Sequence, residues 1–154
     1  MPEKRTSIII GSDHAAYDLK EKVKAFLIGR GIDIEDAGCH NENSVDYPDI
    51  GIKVASMVSR GKFERGILMC GTGIGMSMVA NKFPHVRAAL CADLFSSIMS
   101  RRHNNSNILV LGGRVVGDVL AMEIVKAWLE TPFEGGRHQR RLEKFDRIDT
   151  AMTD

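Results

Sequence analysis

The apolar positions of the chain follow two alternating patterns. Short continuous runs are typical of buried strands, and apolar residues spaced three and four apart are typical of helices. The runs predict five strands, at Ser7–Ile10, Ile32–Glu35, Gly66–Cys70, Val86–Cys91 and Asn107–Leu111. In the second of these, apolar and polar residues alternate, which is typical of an edge strand.

Helical spacings fill the segments between the predicted strands. The first helix carries apolar residues from Ala16 to Leu27, the second begins at Pro48, and the fifth ends before Pro132. Asp93 is placed to cap the fourth helix, which runs to about Arg102. Strands that alternate with helices and are almost wholly apolar predict a parallel sheet covered on both faces.

The segment 137–151 predicts a last, charged helix with a narrow apolar stripe of Leu142, Phe145 and Ile148. This stripe can pack on its own domain or on a second subunit. We favour the second subunit, because the stretch from Pro132 to Gly136 would let the helix reach outwards.

Length and charge narrow the class of protein. The chain has 154 residues, which predicts a single domain over 1–154. Its 21 Lys and Arg against 20 Asp and Glu exclude a generic nucleic-acid binder, and any anion site must be local. The three cysteines favour a reducing compartment. Without an apolar run long enough for a signal peptide or a membrane span, we expect a cytoplasmic protein with no membrane partner.

Three groups of residues follow predicted strands and are candidates for chemistry. Asp13 and His14 follow the first strand, 70–75 ends the third, and 112–114 follows the fifth. In open parallel sheets, ligands bind outside the carboxyl ends of the strands. We therefore expect these groups to converge on one edge of the domain.

The most informative group is the segment Cys70-Gly71-Thr72-Gly73-Ile74-Gly75. Its glycine spacing is neither the dinucleotide fingerprint nor a Walker loop, so neither a nicotinamide cofactor nor ATP is favoured. A glycine loop at a helix N-terminus can present backbone N–H groups to an anion. Cys70 there is either a stabilised thiolate or a small buried core residue.

Several polar residues have both a functional and an ordinary interpretation. Asp13 is well placed as a helix cap, and His14 beside it could contact an anion. His103 is a loop histidine, and such residues are usually only solvated. Arg137 and Arg141 share a helix face, where they form either a forked phosphate site or a solvated basic patch.

Taken together, the motifs of the chain resemble those of ribose-5-phosphate isomerase type B, a family that also contains galactose- and allose-6-phosphate isomerases. The resemblance runs from about Ile8 to about Arg141, and it is the order of the blocks that makes it specific. The matching blocks are GSDHAA at 11–16, SVDYPD at 44–49, CGTGIGMS at 70–77, RHN at 102–104, GGRVVG at 112–117 and EGGRHQ at 134–139.

This resemblance implies a Rossmann-like three-layer sandwich with a five-stranded parallel sheet and a C-terminal helix. It also implies a homodimer, or a dimer of dimers, with active sites shared between two chains. The implied reaction is the interconversion of D-ribose 5-phosphate and D-ribulose 5-phosphate in the pentose phosphate pathway, with neither metal nor organic cofactor.

The resemblance also implies roles for individual residues. Cys70 would be the base that moves the C2 proton to C1 through a cis-enediolate, and Thr72 would bond near the thiol or the sugar oxygens. His103 would protonate the ring oxygen, with Asp13 as its partner. The remaining residues would bind substrate: the enediolate oxyanion at the amides of Gly71, Thr72, Gly73, Ile74 and Gly75 with Asn104, and the phosphate at His14, Arg137 and Arg141 with Arg114 near it.

Two alternatives remain open at this stage. The chain could isomerise a six-carbon sugar phosphate such as D-allose 6-phosphate, which needs more room between Cys70 and the arginines. It could also be a non-catalytic sugar-phosphate-binding module on the same scaffold. A redox role for Cys70 is weaker, because no CxxC pair is present.

Overall fold

The computed structural model describes residues 7–151. Within these residues, five parallel strands form one sheet, as the sequence predicts, and the structure shows their order to be β2-β1-β3-β5-β4. Their bounds are β1 Ser7–Ser12, β2 Asp33–Asp36, β3 Arg65–Cys70, β4 Ala88–Leu90 and β5 Ile108–Gly112. The predicted edge strand is confirmed, since β2 lies at one end of the sheet and alternates between exposed and half-buried residues.

Six α-helices lie within 7–151, again as expected from the periodicity. They are α1 Tyr17–Gly29, α2 Tyr47–Ser59, α3 Ile74–Ala80, α4 Leu94–Arg102, α5 Asp118–Glu130 and α6 Arg137–Ala151. A 3₁₀ turn at His14–Ala16 precedes α1. The largest differences from the predicted strands are in β1, which continues through Gly11 to Ser12, and in β4, which is shorter than the apolar run 86–91. The bounds of β2, β3 and β5 differ from the predicted ones by a single residue.

Alternate residues of the central strands enter two separate cores, which makes the fold a three-layer sandwich. In β3, Ile67 and Met69 face the core beneath α1 and α5, whereas Leu68 and Cys70 face the core beneath α2 and α3. Trp128 of α5 is fully buried in the first core. The period of two along each strand places Cys70 at the end of the second core.

Helix α6 is largely outside both cores. Only His138 and Leu142 are buried on it, while Phe145 and Ile148 are 53% and 60% exposed. None of the helices within 7–151 has the length and apolar character needed to cross a membrane.

Candidate active site

Cys70 is the last residue of β3 and lies directly before the glycine loop. Its side chain is almost fully buried, and the Gly73 N–H donates to its Sγ at 3.2 Å. Gly73 adopts a φ of +81°, a conformation that favours glycine, at the residue that precedes α3. The Thr72 Oγ1 accepts from the Ile74 N–H at 3.2 Å and so closes the turn into α3. A thiolate at Cys70 would therefore have at least one backbone donor already in place.

Asp13 and His14 lie beside this loop. The Asp13 N–H donates to the Met69 carbonyl at 3.2 Å, which ties the end of β1 to β3. The Asp13 Oδ1 accepts from the Ala15 and Ala16 N–H groups, so the predicted cap is confirmed. The His14 Nδ1 accepts from the Val45 N–H at 3.1 Å, which leaves Nε2 as the donor of the neutral ring.

The turn after β5 supplies the third predicted group, at the same carboxyl end of the sheet as Cys70 and Asp13. The Gly113 N–H donates to the Cys70 carbonyl at 2.8 Å, and the Arg114 N–H donates to the Gly71 carbonyl at 2.9 Å. A Cβ on Gly71 would lie 3.7 Å from the Arg114 Nη1, so this guanidinium lies over the loop. The predicted convergence of the three groups on one edge is thus confirmed.

A second group of predicted residues lies at the opposite edge of the sheet, beside the amino ends of the strands. His103 caps the C-terminus of α4, and its ring stacks on that of His138 with centroids 4.2 Å apart. The Glu134 Oε2 lies 3.9 Å from the His103 Nε2 and 3.5 Å from the His138 Nε2. Burial lowers the pKa of His138, and the neighbouring His103 lowers it further.

These three side chains are the group in 7–151 that could hold a metal ion. Their ligand atoms lie within 4.8 Å of one another. Asn104 is exposed next to His103, and Arg137 and Arg141 are exposed on the first turns of α6, four residues apart. This edge therefore presents an imidazole, an amide and two guanidiniums to solvent.

Within one chain, the group around Cys70 and the group around His103 are separated by the length of the strands. Cys70 pairs with Gly112 at the carboxyl end of β5, whereas His103 and Asn104 precede its amino end at Ile108. At about 3.3 Å per residue, β5 alone spans roughly 13 Å. Consequently one chain does not bring Asp13, the expected partner of His103, close to it. Each end of the sheet therefore carries only part of the predicted set of site residues.

Sequence reasoning assigned no role to some residues that contact the predicted site. Glu134 and His138 belong to the matched block at 134–139, and their spacing of four residues places them together. Tyr47 packs against the loop, because a Cβ on Gly75 would lie 2.5 Å from its ring. The signal for Tyr47 was present in the block at 44–49, but spacing alone could not show which residue it contacts.

Comparison with known proteins decides the family. Residues 8–145 match the family model described as Ribose/Galactose Isomerase. The chain belongs to this family. It is therefore an isomerase with a Rossmann-like α/β fold, as its motifs indicate.

Several members of the family are similar to this chain over nearly their whole length. The ribose-5-phosphate isomerase B of Escherichia coli is 44% identical, covering 92% of this chain and 95% of its own. The D-erythrulose-4-phosphate isomerase of Pectobacterium atrosepticum is 45% identical, covering 90% and 91%. The solved ribose-5-phosphate isomerase B of Clostridium thermocellum is 50% identical, with a TM-score of 0.94 and coverage of 96% and 99%.

Proposed function

We propose that this isomerase interconverts D-ribose 5-phosphate and D-ribulose 5-phosphate, with Cys70 as the base. The observation that carries the proposal is the hydrogen bond from the Gly73 N–H to the Cys70 Sγ, at the start of a loop rich in backbone donors. The family membership supports the substrate class. The thiolate takes the C2 proton of the open-chain aldose and returns it, as a thiol proton, to C1.

The electron balance of this step requires stabilisation of an oxyanion. When the C2–H bond breaks, its electron pair forms the C1–C2 double bond and negative charge moves to the carbonyl oxygen, giving the cis-enediolate. Backbone N–H groups of 71–75 would hold that oxygen, helped by Asn104. Loss of one such preorganised donor typically costs about 3–4 kcal/mol.

Ring opening and substrate binding use the remaining residues. His103 donates a proton to the ring oxygen while a carboxylate such as Asp13 accepts the proton of the anomeric hydroxyl. His14, Arg137 and Arg141 bind the phosphate, with Arg114 near it. The phosphate does not react, so its binding energy can be used to fix C1 and C2 beside the thiol.

A complete site needs two chains under this proposal. Cys70, Asp13 and His14 come from one chain, and His103, Asn104 and the α6 arginines come from its partner. The support is the separation of the two groups across the sheet, together with the exposed Phe145 and Ile148 of α6, which offer a contact surface for a second subunit. A homodimer, alone or paired into a tetramer, satisfies this geometry.

Mixing two inactive variants tests the shared site. Cys70→Ala and His103→Ala each damage a different half, so a heterodimer carries one intact site and one doubly damaged site. Random re-pairing should restore about a quarter of the parent's activity. A mixture of His103→Ala and Arg141→Ala is the control, since both damage the same half and should restore nothing. Equal recovery in both mixtures, or in neither, would contradict the shared site.

The identity of the substrate requires a separate measurement. The similarity to a D-erythrulose-4-phosphate isomerase favours a four-carbon substrate as the second candidate. We would compare kcat/KM for D-ribose 5-phosphate, D-erythrulose 4-phosphate and D-allose 6-phosphate, without added metal. The five-carbon sugar should give the highest value. Turnover of none of them by folded protein would instead favour a binding module.

The compartment follows from the same chemistry. All three cysteines are free, and the proposed base works only as a thiol. We infer that the protein acts in a reducing compartment such as the cytoplasm.

A further inference from the structure

Three arginines that the isomerase mechanism does not use surround one cavity. Arg65, Arg87 and Arg101 line a space of about 340 Å³. Arg65 begins β3 and Arg87 immediately precedes β4, so the cavity lies at the amino-terminal edge of the sheet, opposite Cys70. Among residues 7–151, Glu64 supplies the one carboxylate of its lining, and it is exposed.

Neutral backbone carbonyls, rather than carboxylates, hold these guanidiniums in place. The Arg65 Nη1 donates to the Leu129 carbonyl at 3.3 Å, and its guanidinium lies over the Trp128 ring. The Arg87 Nε donates to the Asn105 carbonyl at 2.9 Å. These hydrogen bonds fix the orientation of each guanidinium group without neutralising its charge.

Arg101 is the most buried of the three, with 5% of its surface exposed. Its Nε donates to the Thr131 carbonyl at 3.3 Å and its Nη1 donates to the Asn105 Oδ1 at 3.0 Å. The Nη1 also donates to the Ser106 carbonyl at 2.5 Å, so within 7–151 its bonds too go to uncharged oxygens. Although it is so deeply buried, Arg101 contributes to the lining of the cavity.

Within the described part of the chain, no close carboxylate balances the charge of this cluster. Among residues 7–151, none of the three guanidiniums has a carboxylate oxygen within 4.0 Å, although Glu64 and Asp146 attract them from farther away. Burial lowers the pKa of Arg101 to about 10, and its repulsion by Arg65 and Arg87 adds to that effect. Buried cations in proteins are normally paired.

We propose that the cavity is a binding site for a small phosphate-bearing anion, distinct from the isomerase site. Guanidinium forks match the tetrahedral oxygens of phosphate, and three of them suit a group with two or three negative charges. The volume is sufficient for a free phosphate, a pyrophosphate or a small phosphate ester. The site rests on this cavity alone and is independent of the proposed substrate.

Pyrophosphate titration into the intact protein at low salt tests the proposal. The parent should bind it in the cavity, and Arg65→Gln should weaken that binding by about tenfold to a hundredfold, the usual effect of losing a hydrogen bond to a charged group. Arg141→Gln serves as the control, because it removes a phosphate ligand proposed for the isomerase site and should leave the cavity affinity unchanged. Binding that survives Arg65→Gln but vanishes in Arg141→Gln would overturn the proposal.

A gain of affinity provides a second test that does not depend on how well the Arg65 variant folds. Glu64→Gln removes the carboxylate that the lining contains within 7–151 and should tighten pyrophosphate binding about twofold to tenfold through reduced repulsion. An unchanged affinity in this variant would count against the cavity as the site.

The chemical class and source of the ligand need three further probes. Glycerol 3-phosphate represents a phosphate ester, inorganic phosphate a free anion, and citrate a carboxylate of comparable charge. Tighter binding of the ester than of inorganic phosphate would identify a metabolite site, and the reverse a free-phosphate site. Citrate binding as tight as that of pyrophosphate would refute the assignment to phosphate.

Discussion

The imidazole rings of His103 and His138 lie face to face, with centroids 4.2 Å apart and planes inclined by 9°. Two protonated rings at this distance would repel each other. Burial and His103 together lower the pKa of His138, so His138 should be neutral at pH 7. His103, the proposed acid for ring opening, therefore stacks on a neutral imidazole.

The lowered pKa of His138 predicts a pH dependence of stability. The folded state binds fewer protons than the unfolded state between the folded pKa and about 6.5, so the free energy of unfolding should fall as pH falls through that window. Urea unfolding from pH 7.5 to 5 would show this slope, and His138→Gln should flatten it. His40→Gln, at an exposed position, should not change it. Titration of His138 at or above pH 6.5 by NMR would contradict the prediction.

Replacement of Cys70 distinguishes a catalytic role of its thiol from a role in packing. Cys70→Ser should lower kcat by at least about 10²-fold, since general acid–base catalysis contributes about 10²–10⁴-fold. Cys91→Ser is the matched control, because Cys91 is also buried but lies in the other core, where burial raises its pKa to about 11. In steady-state kinetics, kcat of the Cys91→Ser control should stay within a few-fold of the kcat of the parent. Comparable losses in both variants would make Cys70 a packing residue.

Gly112 supports the loop by its lack of a side chain. A Cβ at this position would lie 2.6 Å from the Thr72 carbonyl oxygen, which is backbone and cannot move aside alone. Gly112→Ala should therefore displace the loop at 71–75 and reduce kcat/KM by an amount that kinetics can readily measure.

Gly117→Ala is the control for this change, since nothing lies within 4 Å of its added Cβ. Its Tm and activity should stay close to those of the parent. An active Gly112→Ala enzyme with a normal KM would show that the loop tolerates the displacement.

Lys20 and Asp36 form the best-buried ion pair of the described fold. The Lys20 side chain is fully buried, and its Nζ lies 2.6 Å from the Asp36 Oδ2. Asp36→Asn should lower the free energy of unfolding by about 3 kcal/mol, at the lower end for breaking a buried pair, because Glu21 remains 3.1 Å from Lys20. Urea denaturation measures the change.

Asp18→Asn provides the control for the buried pair. It breaks an exposed pair with Lys22, which should be worth less than about 1 kcal/mol. Burial alone would raise the pKa of Asp36, but the bonds from Lys20, the Gly38 N–H and Lys24 lower it overall. The stabilisation by this carboxylate is therefore present above about pH 4 and lost as pH falls through the folded pKa.

The apolar stripe of α6 predicts a dependence of assembly on Phe145. Its side chain is 53% exposed in the single chain, and Phe145→Glu would place a charge in the proposed subunit contact. Sedimentation should show that the oligomer of this variant dissociates at a higher protein concentration than the parent does. Activity should be lost in parallel. Lys144→Gln, on the polar side of the same helix, should sediment as the parent does. An unchanged oligomer in Phe145→Glu would exclude this face from the contact.

Much of the fold follows from the linear sequence. Apolar runs and helical spacings locate the five strands and the helices, because the period of buried positions differs between them. The residues around Cys70, Asp13 and Arg114 could also be placed together, since the carboxyl ends of parallel strands meet at one edge. Their caps and turns depend on neighbours close in sequence, so local chemistry is sufficient to predict them.

Only the tertiary structure shows where the remaining residues lie relative to Cys70. His103, Asn104 and Arg137 follow helices that run back across the sheet, so they emerge at the far edge, and no local pattern records that direction. The stacking of His103 on His138 and the cluster of Arg65, Arg87 and Arg101 arise in the same way. Each joins segments distant in the chain, and their spacing in space is set by how the helices pack on the sheet.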